Sequence, residues 1–544
     1  MAKTPLYTAL LRALARQPKL ESARQWSAGS HRLSRRAWLS GVTALSGATL
    51  AGCGEKRSPA APAPKSPSRG APRVAIVGAG LAGLHAAHRL REAGIEAELF
   101  EAAARVGGRV FSDRRTFAPQ HCELGGELID TGHLTMHALR EELDLRFLDY
   151  DRGPQELGLK IRFAGSTLGE PEILEAFAPV AAAIEKSLEQ LKDPEGDISY
   201  RSPNGAQDLD KLSIDQWFSQ QGISGWIRDF LSVAYTTEFG LESDESNALN
   251  LLWMISTELT KFKLYGDSDE RFHTQEGNEA FVRGLVAKLD SSRIHARHAL
   301  VALKETPAGA YRLSFDGQTR EAVFDEVILA LPFTLLRDVK LDVALPPVKR
   351  RAIDELGYGK NAKLMCGFEQ RMWIAQRNNG ETYSDLGYQS TWDTSRMQAT
   401  DKGLLTNFTG GAHSDAMGQL SLEAATTEFL EQLDQVIPGA KAAHDGQRTR
   451  FLWNTQRWTR GSYASWKVGQ YTTIAGAEGE PVRGLKCAGE HTSLDFQGYM
   501  EGAALSGARA ALEVVRSRRL EGAIHAGSPP ATKIWELARV ELGG

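Results

Sequence analysis

A glycine-rich turn between a short apolar run and a helical pattern constrains this fold more than any other feature. RVAIV at residues 73–77 has the β-branched character of a buried strand, and GAGLAG at 78–83 follows it at once. The next apolar residues recur at helical spacing until Gly94, and IEAELF at 95–100 alternates as a second strand would. This order of strand, turn, helix and strand predicts the βαβ unit of a Rossmann-type α/β domain.

Each fixed residue of this unit has a physical role in binding a dinucleotide. Gly78 allows the tight turn, Gly80 lets a pyrophosphate approach the backbone, and Gly83 lets the helix pack closely on the strand. Glu101, 18 residues after Gly83, ends the second strand, where its carboxylate can bind a ribose hydroxyl. The unit therefore predicts a dinucleotide site but does not distinguish NAD from FAD.

Composition places the chain among ordinary globular proteins. Of its 544 residues, 42% are hydrophobic and 24% are charged, which excludes a small disulfide-stapled scaffold and a disordered chain. The net charge of −4 leaves no basic excess for phosphates, so we expect no nucleic-acid partner. The four cysteines lie far apart, without a CxxC pair or a cluster of cysteine and histidine, so we expect neither a metal site nor a disulfide framework.

The N-terminal residues 1–53 carry the outline of an export signal. Basic residues precede an uncharged stretch at 37–51, which is too short for a membrane span of about 20 residues. SRRAWL at 34–39 resembles a twin-arginine signal, and LAGC at 50–53 resembles a bacterial lipobox, whose cysteine is lipidated. The proline-rich residues 54–72 are typical of an extended linker. We therefore expect an exported bacterial protein that is periplasmic or anchored to the membrane as a lipoprotein.

Further motifs distinguish the nucleotide. Residues 101–109 read EAAARVGGR, an E-x-x-x-R-x-G-G-R pattern that resembles the flavin-dependent amine oxidase family, which includes monoamine and polyamine oxidases. The resemblance continues in ELGGE at 123–127, GN at 277–278, FDEVILALP at 324–332, AGEHT at 488–492 and GYMEGAALSG at 498–507. It implies FAD as the cofactor and a small-molecule amine as the substrate.

The same resemblance implies two interleaved domains within a mixed α/β fold of the amine oxidase type. The Rossmann-type FAD-binding domain would comprise residues 73–130, 270–335 and 450–518. The substrate-binding domain would comprise residues 131–269 and 336–449. Residues 519–544 are left as a C-terminal tail.

The resemblance also implies individual cofactor contacts. Arg109, in the GGR segment, would help to hold the phosphates, Glu490 would reach the nucleotide, and the backbone of Val301 would contact the adenine. Gly489 and Met500 lie in the same late motifs and are assigned to the cofactor site with them. The small-residue helix that follows GYM would direct its N-terminal partial positive charge at the flavin ring.

Three residues are assigned to the reaction itself. Tyr463 in RGSY and Tyr499 in GYMEG would form the walls of an aromatic cage, which removes water from the amine and holds it near the flavin. Lys363 lies ten residues before Trp373, the spacing of the family's flavin-facing lysine, which hydrogen-bonds a water at flavin N5. Lys360 is the alternative lysine.

Departures from the family pattern bear on cofactor attachment and on the substrate. Ser462 stands where mammalian-type monoamine oxidases carry the cysteine that attaches FAD, so we expect FAD to be bound non-covalently. After ELG the chain lacks the arginine with which many L-amino acid oxidases bind a carboxylate, although Arg201 or Arg371 can replace it. Glu127 and Glu238 are candidates for binding a second cationic group, or are ordinary solvated or capping carboxylates.

Together these residues predict the FAD-dependent oxidative deamination of an amine, with hydride transfer from the α-carbon to flavin N5. The products would be an imine and then an aldehyde, ammonia and hydrogen peroxide. Two alternatives remain: an L-amino acid oxidase that yields a keto acid, and a non-catalytic flavin-binding lipoprotein of the cell surface. The electron acceptor is molecular oxygen or a partner redox protein.

Overall fold

The structure is a computed structural model that describes residues 72–153, 157–194, 196–318, 321–526 and 528–542. The predicted export signal at 1–53 and all but the last residue of the predicted linker lie outside the described residues.

The strands of the described residues form two large sheets, one smaller sheet and two antiparallel pairs of strands. In chain order they are β1 (Val74–Val77), β2 (Ala97–Glu101), β3 (Ser112–Asp113), β4 (Cys122–Glu123), β5 (Phe147–Asp149), β6 (Gly158–Phe163), β7 (Ser166–Leu168), β8 (Phe272–Thr274), β9 (Ile294–Ala296), β10 (Leu300–Glu305), β11 (Tyr311–Phe315), β12 (Ala322–Phe324), β13 (Glu326–Leu329), β14 (Lys340–Asp342), β15 (Ala362–Phe368), β16 (Asn378–Ser384), β17 (Ser390–Asp393), β18 (Gly403–Thr409), β19 (His444–Leu452) and β20 (Leu485–Cys487).

The α-helices of the described residues cover the faces of these sheets. In chain order they are α1 (Leu81–Glu92), α2 (Leu134–Glu142), α3 (Glu170–Leu188), α4 (Gln207–Asp210), α5 (Ile214–Gln220), α6 (Trp226–Phe239), α7 (Ala248–Met254), α8 (Glu279–Lys288), α9 (Phe333–Leu336), α10 (Pro347–Glu355), α11 (Met372–Ala375), α12 (Gly411–Gln419), α13 (Leu422–Leu433), α14 (Ala440–Ala443), α15 (Met500–Ser517) and α16 (Pro529–Glu541).

The first large sheet is parallel and has the strand order β20-β13-β1-β2-β9. At its centre lies the predicted βαβ unit, in which Val74 on β1 pairs with Ala97 on β2. On the other side of β1, Val74 pairs with Glu326 on β13. All four residues of β1 are buried, as an apolar β-branched strand covered on both faces requires. The structure therefore has the predicted mixed α/β fold with a Rossmann-type parallel sheet.

The turn between β1 and α1 requires glycine at two positions. Gly78 has a φ of +105°, and a Cβ there would lie 2.3 Å from the carbonyl oxygen of Ala330. A Cβ on Gly83 would lie 1.9 Å from the carbonyl oxygen of Gly78. Because neither side chain could be accommodated, these glycines allow α1 to lie directly against the end of β1.

The second large sheet has the order β19-β15-β18-β17-β16-β6-β7. Next to its edge strand β19 lies β15, which pairs antiparallel with β18 and with β19, and all seven residues of β15 are buried. α6 packs on this sheet, where the ring of Phe230 contacts Phe163 on β6 and Tyr383 on β16. A smaller sheet of order β12-β11-β10-β14 carries Val301 on β10.

The two large sheets draw on alternating parts of the chain. The strands of the parallel sheet come from residues 74–101, 294–296, 326–329 and 485–487, whereas the seven-stranded sheet comes from residues 158–168 and 362–452. This alternation follows the order of the predicted domains, whose boundaries stay a prediction.

The C-terminal residues 519–544 contain a helix that the sequence analysis did not assign. α16 packs on α15 and α2, and its residues Ile534 and Trp535 are buried. α15 in turn crosses α1 at close range, since a Cβ on Gly507 would lie 2.4 Å from the carbonyl oxygen of Ala82. Within the described ranges, none of the helices combines the length and the apolar composition that crossing a membrane requires.

Candidate active site

One cavity of about 820 Å³ connects the glycine-rich turn to the residues predicted to face the substrate. This volume is large for a small-molecule site, which usually measures about 300–1,000 Å³, and it suits an elongated cofactor. Among the residues that line it are Gly78, Gly80, Glu101, Arg109, Val301, Lys363, Tyr463, Gly489, Glu490, Tyr499 and Met500. Of the predicted site residues, only Gly83 lies behind the cavity wall, against Gly78.

At one end of the cavity the N-terminus of α1 is suited to a phosphate. The helix begins at Leu81 with no side-chain cap and no acidic residue in its first turn, so its amide N–H groups and partial positive charge can bind an anion. The nearest atom to a Cβ built on Gly80 lies 3.8 Å away, on Gly108. Gly80 therefore leaves space at the point where a pyrophosphate would approach the backbone.

Glu101 is fixed at the end of β2 beside this helix. Its Oε2 accepts the backbone N–H of Ala79 and its Oε1 accepts that of Ala103, both at 2.8 Å. Burial raises the pKa of Glu101, while the two amide hydrogen bonds act in the opposite direction. Val301 lines the same cavity with 44% of its surface exposed. A helix N-terminus, an open glycine and a fixed carboxylate together fit a dinucleotide such as FAD.

An ion pair joins Arg109 of the GGR segment to Glu490 of the AGEHT segment. Arg109 Nη1 lies 2.6 Å from Glu490 Oε1 and also donates to the carbonyl oxygen of Ser462 at 2.9 Å. Glu490 Oε1 further accepts the N–H of Ala464 at 3.2 Å, and its Oε2 accepts the N–H of Gly498 at 2.8 Å. Glu490 thereby holds the segments that carry both predicted cage tyrosines.

Tyr463 and Tyr499 come together at a single residue, Glu238. The hydroxyl of Tyr463 donates to the backbone carbonyl oxygen of Glu238, and that of Tyr499 donates to its Oε1 at 3.4 Å. A Cβ on Gly498 would lie 3.4 Å from the ring of Tyr463, so this ring packs beside the neighbour of Tyr499. Burial raises the pKa of both hydroxyls well above the usual value, so both remain protonated. Both tyrosines thus line the same cavity and share Glu238 as a hydrogen-bond partner.

The structure brings Lys363, and not Lys360, to the cavity. Lys363 on β15 donates to two backbone carbonyl oxygens of the ELGGE segment, at 3.1 and 2.9 Å, and to Glu127 Oε2 at 2.7 Å. An ammonium group has three protons, so a hydrogen bond to a water at flavin N5 has to share or replace one of these contacts. Lys360 lies at the surface and pairs with Asp415 at 2.8 Å.

Glu127 forms a buried ion pair and is not available to the substrate. Besides Lys363, its carboxylate accepts the indole N–H of Trp392 at 2.9 Å. Burial acts to raise the pKa of Glu127, but the charges of Lys363 and His273 and the hydrogen bonds from Lys363 and Trp392 together outweigh it. The pKa is therefore lowered and the carboxylate is ionised. Of the two carboxylates that the sequence offered for a second cation, only Glu238 remains.

The cavity contains a further carboxyl group, Glu270, that the sequence analysis missed. Burial raises the pKa of Glu238 to about 7 and that of Glu270 to about 8. Glu270 lies in the polar segment GDSDER, which resembles an ordinary solvated loop and gives no signal of a site. Only the fold places it on the cavity wall.

The two arginines proposed to bind a substrate carboxylate lie outside the cavity lining. Arg201 pairs with Glu480 at 2.6 Å with most of its side chain exposed. Arg371 donates to the hydroxyl of Ser395 and to backbone carbonyl oxygens in the segment 395–400. Neither guanidinium is placed to bind an α-carboxylate in the cavity.

His121, Glu123 and His273 form a buried cluster of metal-ligating types that the sequence spacing did not indicate. The imidazole rings are stacked with centroids 5.4 Å apart and planes at 20°. Because the lone pairs of nearly parallel rings do not converge, this arrangement is unfavourable for a shared ion. The Glu123 carboxylate already accepts three donors, from Ser112, His273 and the backbone of Asn278. Glu123 and His273 therefore belong to a hydrogen-bonded network, and the His121 ring is stacked on that of His273.

Comparisons with known proteins show the family to which this chain is similar. The family model "Flavin containing amine oxidoreductase" matches residues 81–515. The chain is 23% identical over 482 residues to an amine oxidase [flavin-containing] of Oncorhynchus mykiss, covering 85% of this chain and 88% of that protein. It is 24% identical over 481 residues to the putrescine oxidase of Kocuria rosea, covering 83% and 96%.

Among solved structures, cyclohexylamine oxidase from Brevibacterium oxydans IH-35A has the same fold, with a TM-score of 0.73 at 18% identity over 82% of this chain and 100% of that chain. The family model spans about four fifths of the sequence, which is far more than the dinucleotide unit alone. The protein therefore belongs to the flavin containing amine oxidoreductases.

Proposed function

We propose that the protein is an amine oxidase in which the reacting amine lies between Tyr463 and Tyr499, beside a non-covalently bound FAD. The observation that carries this proposal is the single cavity that runs from the dinucleotide turn at Gly80 to the two tyrosines. FAD, when bound, supplies the acceptor for the hydride that leaves the α-carbon of the amine. Hydrolysis of the resulting imine gives the aldehyde and ammonia, and oxygen that accepts the electrons of the reduced flavin would give hydrogen peroxide.

The protein's own contribution is orientation and exclusion of water. The tyrosine rings replace water around the amine, and their protonated hydroxyls are held by Glu238. Lys363 adds a fixed positive charge beside the ELGGE loop, paired with Glu127. α15 begins at Met500 with no side-chain cap, so its N-terminal partial positive charge favours negative charge at this end of the cavity.

The positions of Arg201 and Arg371, the two arginines that the sequence offered for a substrate carboxylate, favour an amine over an α-amino acid as substrate. An amino acid oxidase needs a cation for the substrate carboxylate, and Arg201 and Arg371 are bound elsewhere. The electron acceptor is proposed to be oxygen, with a redox partner protein as the alternative. We further propose that the N-terminal region exports the protein and anchors it through a lipid on Cys53, since SRRAWL and LAGC occur there in the order that this requires.

Replacing Gly80 with leucine should remove the cofactor while leaving the protein folded. The nearest atom to the new Cβ lies 3.8 Å away, so the fold can accept the substitution, but the side chain occupies the pyrophosphate position. We expect flavin absorbance to fall below about one tenth of the wild-type value, with unchanged circular dichroism. Gly158→Leu, at a position with equally open space, is the matched control. Full flavin content in Gly80→Leu would show that the pyrophosphate binds elsewhere.

Acid precipitation of the yellow protein should release FAD into the supernatant. Ser462 has no sulfur with which to form a thioether, so denaturation removes everything that holds the cofactor. The measurement is the flavin absorbance of supernatant and pellet, followed by chromatography of the released nucleotide. Flavin that stays with the pellet and migrates with a peptide would refute non-covalent binding.

Tyr463→Ala and Tyr499→Ala should each slow flavin reduction at saturating amine by at least about tenfold, because a misplaced α-carbon affects the transition state as well as binding. Anaerobic stopped-flow mixing with a monoamine, a diamine and an L-amino acid measures this rate and identifies the substrate class. Tyr200→Ala, outside the cavity lining, is the control. Unchanged rates in both cavity variants would place the substrate elsewhere, and bleaching by none of the compounds would favour a non-catalytic flavoprotein.

Expression in a bacterium with a twin-arginine pathway tests the proposed export route. Cys53→Ala should move the mature protein from the membrane to the soluble fraction, because the acylated residue is lost. Arg35→Lys combined with Arg36→Lys should retain the precursor in the cytoplasm. Ser58→Ala, in the same N-terminal region, is the control. Equal membrane recovery of the Cys53 variant and the wild type would exclude the lipid anchor.

A further inference from the structure

The two cavity tyrosines are held in different ways. The hydroxyl of Tyr463 donates to the backbone carbonyl oxygen of Glu238, whose position α6 fixes. The hydroxyl of Tyr499 donates to the side chain of Glu238 at 3.4 Å. Since hydrogen bonds between two oxygens usually measure about 2.7–2.8 Å, this contact restrains Tyr499 only weakly. The orientation of the Tyr499 ring therefore depends on what packs against it.

His133 packs against the ring of Tyr499 from outside the cavity. The ring centroids lie 5.4 Å apart and the planes meet at 62°, an edge-to-face arrangement that aromatic pairs favour. Phe496 packs on the His133 ring in the same manner, at 5.7 Å and 82°. The cavity lining includes Tyr499 but not His133, which is fully buried. His133 is therefore placed to support Tyr499 and not to touch a substrate.

A hydrogen bond to the backbone sets the orientation of the His133 ring. Its Nδ1 accepts the N–H of Asp130 at 3.0 Å, so the proton of the neutral ring is on Nε2. Burial lowers the pKa of His133 to about 3, so the ring is neutral at physiological pH. Nε2 has no hydrogen-bond partner within the described ranges and lies 3.5 Å from Asp130 Oδ2. The ring therefore interacts with Tyr499 through packing and not through a charge.

The start of α2, which carries His133, is joined to the start of α15, which follows Tyr499. Glu501 in the first turn of α15 accepts the N–H groups of Thr135 and Met136, at 2.8 and 2.9 Å. These hydrogen bonds fix the two backbone segments relative to each other. Because the segments cannot separate, the Tyr499 ring cannot turn toward α2 without displacing the His133 ring.

We propose that His133 is a positioning residue for the reaction, because its ring holds the ring of Tyr499 in the orientation that the amine requires. The inference rests on the proposed function, in which the amine lies between Tyr463 and Tyr499. Removal of the His133 ring leaves space behind Tyr499, into which the tyrosine ring can turn. The amine then still binds, but its α-carbon is misplaced, and misplacement of a reacting atom raises the barrier to transfer.

Two substitutions separate the ring of His133 from its hydrogen bond. In His133→Asn the side-chain oxygen can still accept the Asp130 N–H at the start of the helix, but the ring is lost. In His133→Phe the ring remains and the acceptor is lost. Anaerobic stopped-flow mixing of the FAD-loaded full-length protein with saturating amine gives the rate of flavin reduction. We expect His133→Asn to slow it by about tenfold or more, and His133→Phe to stay within about threefold of the wild type.

His137→Asn is the matched control, because His137 lies on the same helix but packs on Phe147 and Phe272 instead of a cavity tyrosine. It should keep the wild-type rate. A double-mutant cycle then tests whether His133 acts through Tyr499. If it does, His133→Asn has no further effect in the Tyr499→Ala background, whereas a general loss of structure adds its own effect.

The outcomes separate the positioning role from the function on which it rests. A wild-type rate in His133→Asn, equal slowing in His133→Asn and His133→Phe, or full additivity with Tyr499→Ala overturns the role of His133 and leaves the amine oxidase function standing. If no amine reduces the flavin of the wild type, the proposed function fails and the positioning role with it. Should His133→Asn lose its flavin, His133→Gln, which fills more of the space and keeps an acceptor, is measured in the same way. A wild-type rate in His133→Gln would also overturn the proposal.

Discussion

The carboxylate of Glu490 accepts hydrogen bonds from three separate parts of the chain, and the geometry of the cavity depends on it. Oε1 binds the guanidinium of Arg109 and the N–H of Ala464, while Oε2 binds the N–H of Gly498. Ala464 follows one cavity tyrosine directly and Gly498 precedes the other. One buried carboxylate therefore fixes both tyrosines relative to the loop that follows the dinucleotide unit. Removing one partner of a buried ion pair destabilises a protein by about 3–5 kcal/mol. The ion pair between Arg109 and Glu490 therefore tolerates little change.

Two glutamates of the sequence motifs, Glu101 and Glu501, bind backbone N–H groups of other segments. Glu101 accepts two amides around the glycine-rich turn, and Glu501 accepts the N–H groups of Thr135 and Met136 at the start of α2. These N–H groups satisfy the oxygens of both carboxylates, as buried carboxylates require. Glu238 and Glu270 receive only the hydroxyl of Tyr499 between them among the described contacts. This contrast separates carboxylates that bind distant segments of the chain from two cavity carboxylates that have few hydrogen-bond donors among the described residues.

Lys363 illustrates what the spacing of residues in the sequence can predict about the cavity and what it cannot. Its distance from Trp373 in the sequence favoured Lys363 over Lys360, and of these two lysines Lys363 is the one that lines the cavity. This was possible because Lys363 and Trp373 belong to one local segment around β15. The same reasoning did not identify its partner Glu127, which lies 236 residues earlier and was interpreted as a candidate for the substrate. The ion pair arises because β15 passes beside the ELGGE loop in the fold, and no local pattern encodes that contact.

The sequence by itself determined the parallel βαβ unit and the helix after GYM. These features follow from local rules: apolar periodicity, and the φ and the close contacts that only glycine allows. FAD as the cofactor was implied by the resemblance of the sequence motifs to a known family. The tertiary structure alone decided which charged groups meet in the cavity. It joined Arg109 to Glu490, Lys363 to Glu127, and the loop residue Glu270 to the cavity wall. Such contacts depend on how sheets and helices pack across hundreds of residues, and local propensity carries no information about that packing.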